Sequence, residues 1–174
     1  HILHTKEFQE ADVIHCHNLH GNYFKLSTLT KISKLKPIVW TLHDMWAITP
    51  HCAHAFDEKI RNGFFDCPSL NTYQQISWHN EPYLKAKKRK VYATANFTVI
   101  TPCLWLEEKV KQSVLKDKPL RLIYNGINAQ VFKKTDKKIA RQNLGLPQDK
   151  KIVLFVSPVG QNPQKGWEYV ETVM

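Results

Sequence analysis

A histidine and an aspartate, His43-Asp44, directly follow Pro37-Ile38-Val39-Trp40-Thr41-Leu42, a β-branched and apolar run too short for a helix and suited to a buried parallel strand. Ligands of open α/β sheets sit in the crevice outside the carboxyl ends of the strands, so an imidazole and a carboxylate placed there can move a proton or hold a polar substrate. The same pattern occurs upstream, where residues 11–16 read as a short strand and His17-Asn18-Leu19-His20-Gly21 as the loop at its carboxyl end. Trp46 follows His43-Asp44 at close range. Near the other end of the chain Gln164-Lys165-Gly166 opens a helix, an arrangement in which backbone amides and a lysine neutralise phosphate oxygens. Asn125-Gly126 is a turn signal after another apolar run.

These residues are positioned by an alternation of strands and helices. Residues 23–35 carry Phe24, Leu26, Leu29, Ile32 and Leu35 at near-helical spacing, so strand, loop, helix and strand make a βαβ unit with parallel pairing and a right-handed crossover. Residues 45–80 lack a period, contain Pro50, Gly63 and Pro68, and are expected to form a lid or binding insert. Helices are expected at 81–95, 104–115 and 139–144, strands at 97–100, 120–124 and 151–156, and a last helix from 165. In the first of these helices Leu84, Val91 and Ala95 form the apolar face, with Lys85, Lys88 and Arg89 largely off it. The fold class is therefore α/β: a parallel-sheet domain over residues 1–132, lacking its first strands, and a linker with the truncated start of a second such domain over 133–174.

The 174 residues, 43% of them hydrophobic, are ample for a core. No apolar run approaches the length of a membrane span. The net charge of +10 is uneven: residues 81–121 carry ten basic and four acidic groups, and 133–151 seven and two. Such a surface attracts phosphates, acidic sugars, nucleic acid or anionic lipid, and charge alone does not choose among them. Four scattered cysteines without a CxxC pair point to a reducing cytoplasm.

Taken together, Asp-Val-Ile-His-Cys-His-Asn at 12–18, Trp-Thr-Leu-His-Asp-Met-Trp at 40–46, Val-Ile-Thr-Pro at 99–102 and Ile-Tyr-Asn-Gly-Ile-Asn at 123–128 resemble glycosyltransferase family 4, in the branch that builds bacterial exopolysaccharide and capsule. The resemblance implies a GT-B fold of two Rossmann-like domains, a nucleotide-diphosphate sugar donor, a glycan or lipid-linked acceptor, retention of anomeric configuration and no required metal or other cofactor. It assigns His43 the place of the active-site histidine with Asp44 beside it, an acceptor cleft to His17, Asn18, His20 and Trp46, and donor contacts to Asn125, Gly126, Lys165 and Gly166. It also implies a cytoplasmic location, compatible with peripheral contact with an anionic inner-membrane face, and no nucleic-acid partner. An arginine that many relatives place near the lysine of Lys165-Gly166 is absent, and the chain stops short of a later Glu-rich segment, so these residues alone are expected to bind donor weakly and to be inactive.

Two other functions compete. A basic binding module would use Lys85, Lys87, Lys88, Arg89 and Lys90 as a solvated stripe for an anionic polymer or membrane. A zinc protein would use His51, Cys52, His54 and Cys67, since thiolate and imidazole suit that ion, although adjacent His51 and Cys52 are poor geometry for joint ligation.

Overall fold

Four short parallel strands carry the molecule. They are β1 (Ile14–Cys16), β2 (Ile38–Thr41), β5 (Thr98–Thr101) and β6 (Leu120–Leu122), side by side in the order β1-β2-β5-β6. Their registers pair Ile14 with Ile38, Val39 with Thr98 and Val99 with Leu120. The computed structural model describes residues 2–55, 58–157 and 166–173. It divides into two compact units, His1–Gly126 and Ile127–Met174.

In the first unit the expected α/β architecture is present. Because all four strands are parallel, their carboxyl ends lie along one edge, and the segments starting at His17, Leu42, Pro102 and Ile123 leave from it. The helices α1 (Lys6–Glu10), α2 (Thr28–Ile32), α3 (Glu81–Thr94) and α4 (Leu104–Gln112) contribute Phe8, Leu29, Ile32, Val91, Tyr92, Leu106 and Val110 to the core. At its centre Trp40 of β2 meets Tyr92 and Phe97 edge-on, with ring centroids 6.0 and 5.6 Å away. Such pairs contribute about 1 kcal/mol each beyond area burial.

Several sequence expectations change. The helix expected over 23–35 is only α2, because Gly21 (φ +94°) and Asn22 (φ +66°) turn the chain in the left-handed region, and Ser27, Thr28 and Thr30 are poor helix formers. The first part of the segment expected to be a lid or binding insert packs into the core. Met45, Ala47, Ile48, Thr49, Cys52, Ala53 and Ala55 are buried, and a hairpin joins β3 (Ile60–Arg61) to β4 (Phe64–Phe65). Its two-residue turn is Asn62-Gly63, both at positive φ, the sequence most favoured for a primed hairpin turn. A Cβ on Gly63 would stand 3.1 Å from the Val114 backbone nitrogen, so the hairpin also needs glycine to pack against the end of the α4 region.

Cys52 and Cys67 are joined as a disulfide across this insert, and the Cys52 N–H donates to Cys67 Sγ at 3.2 Å. The zinc set loses both its thiolates to that bond, and the inference of reduced cysteines fails at this pair. Closing a loop of 15 residues restricts the unfolded chain, so reduction is expected to lower stability by roughly 2–3 kcal/mol. Thermal melting with and without dithiothreitol measures this, and an unchanged midpoint would mean that the pair is not linked.

The second unit contains α5 (Lys137–Asn143), capped by the Asp136 carboxylate on the Lys138 and Ile139 amides, and α6 (Trp167–Val173). The strand expected over 151–156 is absent: residues 151–157 have no regular structure, and Val153 is 93% exposed. A strand exists only where a neighbour bonds its amides and carbonyls, and the described residues offer none there.

Candidate functional site

The site begins with the register of β1 and β2. Side chains alternate faces along a strand, so His15 and His17 share a face with Thr41 and His43 one diagonal step away, 26 residues on in both cases. His15 Nε2 lies 2.8 Å from Thr41 Oγ1, and His17 Nδ1 lies 2.8 Å from His43 Nε2. The His15 and His17 rings are 4.2 Å apart, and those of His17 and His43 are stacked at 5.1 Å. Three imidazoles thus line the exit of two adjacent strands. The His15 pKa is held below its ordinary value, first by burial and then by the neighbouring His17 and His43, so protonating one imidazole opposes protonating the next.

The hydrogen bond between His17 and His43 needs one ring nitrogen protonated and the other bare. When His17 donates, neutral His43 carries its proton on Nδ1 and presents a donor; when His43 donates, Nδ1 is an acceptor. His43 is exposed, so Nδ1 is within reach of a substrate. It lines a pocket of about 180 Å³ together with Asp44, Ala53, His54, Pro102 and Trp105, between the carboxyl ends of β2 and β5.

Asp44 has a different task. Its Oδ2 accepts from His20 Nε2 at 2.8 Å, and its Oδ1 accepts from the Trp46 backbone N–H at 2.8 Å. Both side chains are largely covered, at 9% and 16% exposure. Since a carboxylate only accepts, Nε2 of His20 carries the proton, and the Gln74 side-chain amide at 2.7 Å then donates to the bare Nδ1. Gln74, His20 and Asp44 form one chain that fixes the loop after β1 to the loop after β2.

The residue that holds this second loop from beneath is Lys88, which is 3% exposed. Its ammonium donates to the carbonyls of Trp46 and of Thr49, the latter at 2.9 Å, and lies 3.7 Å from the centre of the Trp46 ring. Four residues along α3, the Tyr92 hydroxyl donates to the Ala47 carbonyl at 2.9 Å. Sequence reasoning placed Lys88 on the solvated side of α3, and the structure overturns that. The apolar stretch Trp46-Ala47-Ile48 bends in a 3₁₀ turn whose carbonyls need buried donors, a demand with no linear signature. The postulated basic stripe is also interrupted by Lys85, which pairs with Asp66 at 3.2 Å, and by Arg89, which donates to the Asn62 carbonyl.

On the far side of the loop His20, Trp46 and Lys88 line a second pocket of about 250 Å³, with His51, Gln74 and Lys87. The structure therefore brings His17 to His43 and His20 to Asp44, with Trp46 alongside. Asn18 accepts from the Tyr23 hydroxyl through its carbonyl and lines a small cavity of about 10 Å³ with His20, His43, Asp44 and Trp46. Asn125 and Gly126 are exposed after β6, two strands away from β2. Lys165 lies outside the described residues, and Gly166, at φ +74°, precedes α6 in the second unit.

The sequence model of Glycosyltransferase Family 4 matches residues 2–131. A putative colanic acid biosynthesis glycosyl transferase, WcaC of Escherichia coli (strain K12), is 34% identical over 88 residues, which cover 46% of this chain and 22% of that protein. The match spans about a fifth of the relative's length. No solved structure matches.

Proposed function

Since the chain belongs to glycosyltransferase family 4, we propose that it is the acceptor side of a retaining, hexosyl-transferring enzyme that moves a sugar from a nucleotide-diphosphate donor to a glycan or lipid-linked acceptor of bacterial surface polysaccharide. The observation that carries this is the exposed His43, oriented by His17 at the carboxyl end of β2 beside an open pocket. In such a transfer the anomeric C–O bond breaks with its electron pair leaving on the diphosphate, while an acceptor hydroxyl forms the new C–O bond and gives its proton to the departing diphosphate oxygen. His43 Nδ1 serves to hydrogen-bond a hydroxyl at that centre.

Asp44 is engaged by His20 and by a backbone amide, so its role is to orient the loop rather than to attack the sugar. Asn125, Gly126, Lys165 and Gly166 are assigned to the donor, with the lysine and nearby amides offsetting the leaving diphosphate without a metal ion. A cytoplasmic enzyme touching an anionic membrane through its exposed lysines fits the basic balance of residues 81–121.

Release of nucleoside diphosphate from UDP- and GDP-sugars by the full-length protein, assayed with acceptor lipid extract and excess EDTA, tests the reading. Acceptor-dependent release that survives EDTA is expected. Release that requires a divalent ion would overturn the metal-independent mechanism, and none with any donor would overturn the transferase.

A further inference from the structure

The pocket on the far side of the His43–Trp46 loop is charged in one sense only. Among the side chains around it are Lys25, Lys87 and Lys88, the imidazoles of His20 and His51, and no carboxylate. Lys88 is buried, with its hydrogens committed to the Trp46 and Thr49 carbonyls and its amino group against the Trp46 ring, so it offers no free donor to a ligand and the charge at this wall is that of Lys25 and Lys87. Lys25 and Lys87 are exposed and form no ion pair among the described residues. Asp44 is not among the lining residues, and its two oxygens are engaged by His20 and by the Trp46 amide.

The remaining surface is suited to a sugar. Trp46 supplies a flat apolar ring, and the carboxamides of Gln74 and Gln75 supply donors and acceptors of the kind that hydroxyls use. A volume of about 250 Å³ accommodates a monosaccharide ring with one substituent and not a polymer.

We propose that this pocket is an anion-selective subsite that binds a sugar bearing an oxyanion, a phosphate or a uronate carboxylate, as the remote part of the acceptor. This rests on the transferase reading above and deepens it by naming the acceptor's class. Lys25 and Lys87 pair with the oxyanion at the rim, and Trp46 takes the ring face. Because His20 and Trp46 both bind Asp44, an occupant of the pocket also braces the loop that carries His43. Binding energy gained away from the reacting bond is then available for positioning it.

The test is a nuclear magnetic resonance titration of the protein with methyl β-D-glucuronide, galactose 1-phosphate and neutral methyl β-D-glucoside, following the Trp46 indole and His20 ring signals. Both charged sugars should bind about tenfold more tightly than the glucoside, an advantage that shrinks in 0.5 M salt. The exposed-site double variant Lys25→Gln, Lys87→Gln should lose that tenfold and keep the affinity for the glucoside. Preference for only one of the two charged sugars would identify which oxyanion is read and still supports the proposal. Equal binding of charged and neutral sugars, shifts elsewhere than at Trp46 and His20, or binding of phosphatidylglycerol vesicles with no soluble sugar bound would each overturn it. No donor or turnover enters the titration, so missing transfer activity strikes the transferase reading alone, and missing charge preference strikes the subsite alone.

Discussion

Replacing Lys88 by methionine should destabilise the protein by about 4 kcal/mol, because it removes two charge-assisted hydrogen bonds at once and leaves the Trp46 and Thr49 carbonyls without donors in a dry interior. Methionine keeps the length and packing of the stem, so the loss reports the ammonium and not a cavity. Burial holds the Lys88 pKa well below its ordinary value, and the negative charge of Asp44 offsets only part of that. The sign of the pH dependence follows. Between the folded pKa of Lys88 and the ordinary lysine value, the unfolded chain still binds the proton that the folded chain has released, so this group makes stability rise as pH increases through that window. Urea denaturation of both proteins from pH 7 to 10 should show the rise in the wild type and its absence in the variant. A variant within 1 kcal/mol of the wild type, with the same pH profile, would remove Lys88 as the anchor of the loop.

Replacing His43 by alanine in the full-length protein should lower kcat for sugar transfer by about 10²–10³-fold, the usual loss when one preorganised polar group at a reacting centre is removed. KM for the acceptor should change little, since His43 lines the pocket beside Pro102 and Trp105 and not the larger one lined by Lys25, Trp46 and Lys87. His17→Ala offers a graded control: it leaves the His43 ring in place but removes the 2.8 Å hydrogen bond that orients it, so about a tenfold loss is expected. Thermal melting of the His43 variant should be nearly unchanged because the side chain is exposed. Near-normal turnover in His43→Ala would take it out of the chemistry, and a loss in His17→Ala as large as in His43→Ala would mean that the two rings act as a unit.

By itself the sequence determined the parallel α/β layout and the place of its loops. The short runs read as strands at 11–16, 37–42 and 97–100 contain β1, β2 and most of β5, because a buried parallel strand demands apolar residues, and the polar residues after the first two follow from strands ending at a common edge. It also made α3 legible, by the apolar face of Leu84, Val91 and Ala95, by Pro82 at the start and by the good helix formers from Leu84 to Lys90. The Asn62-Gly63 hairpin was equally readable and was missed, since its two-residue strands are too short to show a period. Only the tertiary structure decided that His17 bonds to His43 and His20 to Asp44, because strand register is set by packing across the sheet and not by either strand alone. It also decided that Lys88 is internal. Amphipathic spacing assigns a lysine to water by default, and the carbonyls that reverse this assignment are created when residues 46–49, some forty positions earlier, fold against the same helix.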